Sequence, residues 1–586
     1  MNERYYREEY AYLLDAGREF AERYPELARM LRLDDARAVD PNVERLLEGV
    51  AFLTARITRR LEEYFPELVE GLVELLWPVA TRVMPPACMV QLRPSGALPP
   101  EGVVVPPGAR VGPSSPPQGL ECSFRTSSEV WLSPVSLKDV GLSEAGEGMR
   151  VVLQLASPTG ADPATLAARG LRLHFAGEGM VPYQLYQLLL GLGPWRGLKA
   201  VEVTARGAWG EQSVVLGPEV ISPVGLEKGS LMLPARGQLW LLGMAAEYFV
   251  LPERFLGMDL RLPQLGQGLV EELKVGLVFG EQWPAGLRPG VENFRLGCTP
   301  AVNLMEMDAE PIRLDHTRTY YRLVPELTRV DGYQVYSVEE VVGVGVGSGR
   351  RITYRPLMSA GNPLGQGPQQ LQGHYYVLRR MPAPWGGIDY YLAFTSPSGE
   401  EMPEEQVVSV HIQATNGAAA AGLGAGEIDT ALEGVPDGVE VANLAQPSPP
   451  VFPPLEGVGL WRWLGLMSMN IMGVASAEGL KRVLRLVEGR GEGANLKHID
   501  SILELELAPA RRRMEGAVAR GVRVRMVLDE QAFASPGQML VFARVVGAVM
   551  MAHAAINTFV EIEVVGSPSG RSFVLGPRLG AGNELA

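Results

Sequence analysis

Histidine, cysteine and paired carboxylates are the side chains that could carry chemistry in this chain, because they supply most general bases and metal ligands. The six histidines stand singly at 174, 316, 374, 411, 498 and 553. No HExxH or HxxxH pair sets two of them one helical turn apart, and no GxSxG marks a nucleophile elbow. Asp315-His316, in RLDHTRTYY, is the most suggestive dyad. On a strand, however, neighbouring side chains leave opposite faces, so adjacency does not aim an acid at its histidine. Glu339-Glu340 and Glu400-Glu401 fall in turns and read as solvated pairs. Cys88, Cys122 and Cys298 lie far apart with no CxxC, which points to neither a zinc knot nor a disulfide framework. The glycines of VGVGVGSGRR at 342–351 miss the GxGxxG spacing, and no Lys-Ser/Thr follows, so this run reads as a hairpin arm. The residues thus nominate no catalytic group, no cofactor and no metal.

Charge narrows the partners. Lys and Arg number 53 against 67 Asp and Glu, a net charge of −14 with pI near 5.2. Such a chain repels phosphate backbones, and its richest basic stretches, Arg511-Arg512-Arg513 and Arg523/Arg525, have no stacking aromatics beside them. Nucleic acid is therefore not an expected partner. The N-terminus, MNERYYREEY, has no apolar core of the secretory kind, and the apolar run Val545 to Ala552 is too short to span a bilayer. A cytoplasmic protein without direct membrane insertion is the expectation.

With no chemistry to position, the elements themselves become the subject. At 586 residues the chain implies about three or four domains. The longest helical periodicity runs from Asp40 to Pro78, with Val43, Leu46, Val50, Leu53, Ile57, Leu61, Tyr64, Leu68, Leu72 and Leu75 at steps of three or four. Asp40 suits the N-cap, Pro41 the first helical position, and Pro66 breaks the run into two helices. The pattern alone favours an internal core over a seam for a partner helix. After Pro85-Pro86 the chain turns to short strands between Gly/Pro turns. The reading is α+β multidomain: an N-terminal helical region (1–86), β-rich sandwich- or barrel-like middle domains (87–242 and 243–413), a linker (414–457) and a C-terminal α/β sandwich domain (458–586). In the last, SAEGLKRVLRLVEG is an amphipathic helix. GVRVRMVLDE is a half-exposed strand, with Val522, Val524 and Met526 alternating against Arg523 and Arg525.

Five ordered blocks resemble the TssF family, also called VasA or ImpG, of the type VI secretion baseplate. They are DPNVERLLEGVAFLTARI (40–57) with ELVEGLVELLWP (67–78), EYFVLPERFLGMDL (247–260), FRLGCTPAVNLMEMDAEPIRLDHTRTYYRLVPE (294–326), LWRWLGLMSMN (460–470) and AAINTFVEIEV (554–564). Arg254 stands where the family usually has lysine. The family's CTNRDLP-like segment reads ATNGAAAAG at 414–422, and the glycine arm has no counterpart.

The resemblance implies a structural, non-enzymatic wedge protein. Two copies would join one TssG in a framework that binds the adaptor TssK, the sheath initiator TssE and the VgrG hub, and meets neighbouring wedges at the inner-membrane-anchored secretion complex. It moves the 40–61 stripe from internal core to intermolecular bundle. The residues expected at protein interfaces are Val43, Leu46, Val50, Leu53, Ile57, Leu61, Trp461, Asn557 and Phe559. A wedge protein of another phage-tail-like injection particle, or a β-rich carbohydrate-binding protein, are the alternatives.

Overall fold

A computed structural model describes residues 66–579, apart from 147, 228, 234–239, 281–282, 285, 330–331, 359–372, 385, 397–404, 454–457, 469–475, 515–516 and 553–557. It also describes residues 6, 10, 13, 45–46 and 48–54. The chain divides into two compact units. One comprises Met1–Val73 with Leu455–Leu464, the other Glu74–Pro454 with Gly465–Ala586.

In the first unit, residues 45–46 and 48–54 are helical, and the Thr54 hydroxyl donates back to the Val50 carbonyl at 2.9 Å. Residues Pro66–Leu76 are also helical, and the proline that the sequence marks as a break is the first of them to be described. The helix Val458–Ser468 adds its first turns to this unit.

The second unit is built mainly from antiparallel sheets. A six-stranded sheet runs in the order Thr430–Glu433, Arg110–Gly112, Phe124–Thr126, Cys298–Val302, Ala87–Pro94, Val439–Asn443. Its first and last strands follow each other through the turn 434–438, so the sheet curls toward a closed barrel. Cys88, Val90, Leu92, Val111, Phe124, Ala301, Ile428 and Val441 fill the interior. The described part of the expected 414–457 linker, residues 414–453, supplies two strands of this barrel and the short helix Ala418–Ala421. Gly417, at φ +52°, sits where a Cβ would lie 2.7 Å from the Gln334 amide nitrogen.

The expected boundary near 242 is bridged by hydrogen bonds. In a five-stranded sheet, Val270–Phe279 lies between Leu198–Gly207 and Gly148–Ala161. A third sheet follows the order Met305–Asp308, Gln406–Thr415, Gln334–Gly345, Arg351–Pro356, Tyr375–Pro382, Ile388–Thr395, Tyr321–Leu323. The glycine arm closes the hairpin of its third and fourth strands: residues 342–345 end the third strand, 346–350 make the connection, and Arg351 opens the fourth.

The C-terminal layer is a four-stranded sheet, Ile502–Met514, Ala517–Asp529, Thr558–Ser567, Ser572–Leu579, with one parallel pair at its centre. Ala477–Glu488 is the expected helix. Ser476 caps its start by accepting from the Gly479 amide at 3.0 Å, Gly489 ends it in the left-handed region, and Leu480, Val483, Leu484 and Val487 are buried. The long helix Pro536–Ala552 also packs on two helices from the middle of the chain, Val181–Leu190 and Trp240–Val250. Gly537 permits the first contact, since a Cβ there would lie 1.9 Å from the Tyr183 carbonyl oxygen. The second of these helices, WLLGMAAEYFV, is apolar but for Glu247, and every residue after Trp240 is buried.

Candidate functional sites: buried polar nodes and exposed apolar seams

Several of the described groups that could carry chemistry are held in structural roles. The Asp315 carboxylate accepts from the Thr317 hydroxyl (2.8 Å), the Thr317 amide (3.1 Å) and the Tyr321 hydroxyl (2.8 Å), which bring its pKa down to about 2. His316 occupies a positive-φ turn at +57°. The dyad is thus a turn lock. His174 and His498 are buried, and burial brings both down to about 4; beside His498, Lys497 adds to the effect. The His498 ring stacks on Phe533 at 4.8 Å. Burial pushes the Cys122 and Cys298 thiols up to about 12 and Cys88 higher still, which keeps all three protonated. Among the described residues no group of three or more His, Cys, Asp or Glu side chains is arranged to hold a metal ion. Glu400 and Glu401 lie outside the described residues.

Three of the sequence blocks instead end in buried polar nodes. In EYFVLPERF, Glu247 and Arg254 form an ion pair with both side chains 1% exposed. The helix Trp240–Val250 presents the glutamate and the 3₁₀ turn Pro252–Phe255 presents the arginine. Glu247 Oε1 also accepts from the backbone amides of Met232 (2.7 Å) and Leu233 (3.1 Å), and Arg254 donates to the Ser230 carbonyl. Burial brings the guanidinium down to about 9, still well above neutral pH, so Arg254 stays charged. It ties an irregular loop to the most apolar helix of the fold.

In TPAVN, Asn303 joins strands of two sheets. Its carbonyl oxygen accepts from the Thr415 hydroxyl (2.7 Å) and the Asn416 amide (2.7 Å), and its Nδ2 donates to Ser123 O and Asn416 Oδ1, each at 3.0 Å. Asn416 Nδ2 then reaches the Glu121 carbonyl at 3.0 Å. The Thr-Asn of ATNGAAAAG thus has a defined task, although the rest of that segment departs from the family pattern.

In ELVEGLVELLWP, Glu74 sits between Arg82 (2.6 Å) and Arg380 (2.8 Å) and also takes the Thr81 hydroxyl. Burial pushes its carboxyl up, but the two guanidinium groups and Thr81 outweigh this and hold it below the usual range. The clasp fixes the end of the helix Pro66–Leu76 to the strand Tyr375–Pro382. Sequence reasoning missed all three nodes. The only local signal was polar residues standing inside otherwise apolar blocks.

The residues expected at interfaces divide clearly. Leu46, Val50 and Leu53 form an i, i+4, i+7 stripe, and all three are exposed, Leu46 by 69% and Leu53 by 57%. Trp461 is 53% exposed, while its neighbours Leu460 and Trp463 are buried. Phe559 departs from expectation: it is 1% exposed, packed over Gly521 of the adjacent strand, and has no surface to offer a partner. Its ring belongs to the C-terminal core. Val43, Ile57, Leu61 and Asn557 lie outside the described residues.

Comparison with known proteins matches a family model described as Type VI secretion system, TssF over residues 2–581. The Pseudomonas aeruginosa protein named type VI secretion system component TssF1 is 29% identical over 610 residues, covering 95% of each chain. Among solved structures, a chain of the type VI secretion TssK-TssF-TssG baseplate subcomplex superposes with a TM-score of 0.70 at 24% identity, covering 92% of this chain and all of that one. A chain of the type VI baseplate complex gives 0.58 at 25% identity, covering 99% and 100%.

Proposed function

The chain belongs to the type VI secretion system TssF family, and we infer from that membership that it is a structural component of the secretion baseplate. The observation that carries this reading is the family match, which spans residues 2–581. The fold supports it: polar groups that might have catalysed are spent on joining elements, as Glu74, Glu247 and Asn303 are.

Within the baseplate, TssG and TssK are the proposed partners, since the similar solved chain comes from a TssK-TssF-TssG subcomplex. A second copy of this chain, TssE, the VgrG hub and neighbouring wedges extend the proposal, with recruitment to the inner-membrane-anchored secretion complex. Among the described residues no helix is long and apolar enough to cross a membrane. The stripe Leu46, Val50, Leu53, with Trp461 in the same unit, is the proposed intermolecular bundle face. Exposed apolar side chains at helical spacing gain about 1.5–3 kcal/mol each when covered. The N-terminal helical region 1–86 is proposed to act as the bundle module. Co-expression with the TssG-type protein of the same genome, followed by size exclusion, tests the assignment. Co-elution is expected, and a stable monomer that ignores this partner would overturn it.

A further inference from the structure

The arginine-rich strands of the C-terminal sheet have a second, unsatisfied face. Ile502–Met514 and Ala517–Asp529 pair along their whole length, but Thr558–Ser567 joins the second of them only from Arg520 onward. Among the described residues, 510–513 and 518–519 thus pair within this two-stranded ribbon and with no third strand. The first strand is also the sheet edge among the described residues.

Cross-strand register sorts the arginines. On one face Arg512 and Arg523 both bind Glu561, at 2.5 and 3.0 Å, and Arg525 lies 3.7 and 3.6 Å from Glu504 and Glu506. That face is neutralised from within. The other face continues the buried row Met526 and Val524, which are fully covered, and then leaves the core. Pro509 opposite the half-buried Val522 comes next, followed by Arg511 opposite Arg520 and Arg513 opposite Val518. The last four side chains are exposed, Val518 by 70%, and among the described residues no carboxylate lies within ion-pair distance of these three arginines. Like charges set directly opposite on a ladder are destabilising. Edge protection accounts for Pro509 and for scattered charge on an edge strand. It gives no reason to stack Arg511 on Arg520.

We propose that this face of the ribbon is a docking surface for a segment of a partner protein that presents carboxylates beside an apolar residue. A partner carboxylate would take the place between Arg511 and Arg520 that Glu561 takes between Arg512 and Arg523, with Val518 supplying apolar contact next to it. Guanidinium groups favour such planar, two-pronged carboxylate recognition. A protein segment fits better than a phosphate polymer, because the net charge of −14 opposes a long polyanion and the described ribbon carries no aromatic side chain for bases to stack on.

The proposal rests on the baseplate role above, with the partner drawn from that assembly. The test uses the full chain assembled with the TssG- and TssK-type proteins of its genome, with a photo-crosslinking residue replacing Val518. A crosslink to an Asp/Glu-bearing segment of either protein is expected. The triple variant Arg511→Ser, Arg513→Ser, Arg520→Ser should keep the wild-type melting temperature and lose roughly tenfold in affinity for the crosslinked partner at low salt, with a smaller salt dependence. A crosslink to lipid or nucleic acid, no crosslink within an intact assembly, or unchanged affinity of the triple variant would overturn the ribbon proposal while leaving the baseplate role standing. A wild-type chain that fails to assemble at all would overturn both.

Discussion

Arg254 and Glu247 make the sharpest single-residue prediction. Removing one member of a fully buried ion pair strands the other charge, at a cost of about 3–5 kcal/mol. Arg254→Met should therefore lower the urea midpoint strongly. Arg254→Lys, which restores the residue usual in the TssF family, should cost clearly less, because it keeps the charge and loses only the fork that reaches Ser230. Equal losses for the two variants would mean that the pair contributes by packing alone. The buried histidines predict a pH response. His174 and His498 titrate near 4 in the fold, against an ordinary 6.5, so the unfolded chain binds more protons between those values. Stability is full above pH 6.5 and declines as pH falls toward 4, by on the order of 1 kcal/mol per histidine at pH 5.5. Replacing both with glutamine should flatten that part of a stability–pH curve measured by chemical denaturation.

At the scale of elements, Glu74 is the point where a helix end is fixed to a sheet. Glu74→Gln takes the negative charge from between Arg82 and Arg380 and should destabilise by about 3 kcal/mol. Hydrogen exchange should show protection lost first in the helix Pro66–Leu76. Loss spread evenly over the strands would refute the clasp. Elements of this kind were legible wherever periodicity was local. The 477–488 helix and the Val524/Met526 alternation follow from spacing and a cap, because each element's buried face is written in its own residues. The candidate nodes were not legible, because their partners are remote. Asn303 meets Asn416 after 113 residues, and Glu74 meets Arg380 after 306. The 414–457 stretch misled for a related reason: its alanines and glycines resemble a linker, yet its strands are stabilised by barrel partners near residues 90 and 110. Phe559 was misplaced because a conspicuous block does not reveal whether it serves the core or a surface.

Across the described residues, the buried groups Glu74, Glu247 and Asn303 join separate elements, which suits a baseplate component that holds position among other chains. Leu53→Asp should leave the melting temperature of the isolated chain within about 0.5 kcal/mol equivalent, because the side chain is exposed. It should abolish co-elution with the TssG-type partner. A variant that still assembles would remove the 46–53 stripe from the proposed interface.

The barrel has a consequence for synthesis. Its strand 87–94 lies between 298–302 and 439–443, so one of its two edges stays bare until residue 443 has left the ribosome. At roughly 5–20 residues per second, the interval from residue 94 to residue 443 lasts about 20–70 s. Throughout that time a mostly buried, apolar strand waits with unpaired amides and carbonyls. The nascent chain should therefore engage general chaperones while the barrel is half made, and a message truncated before residue 439 should yield aggregate rather than a smaller folded protein.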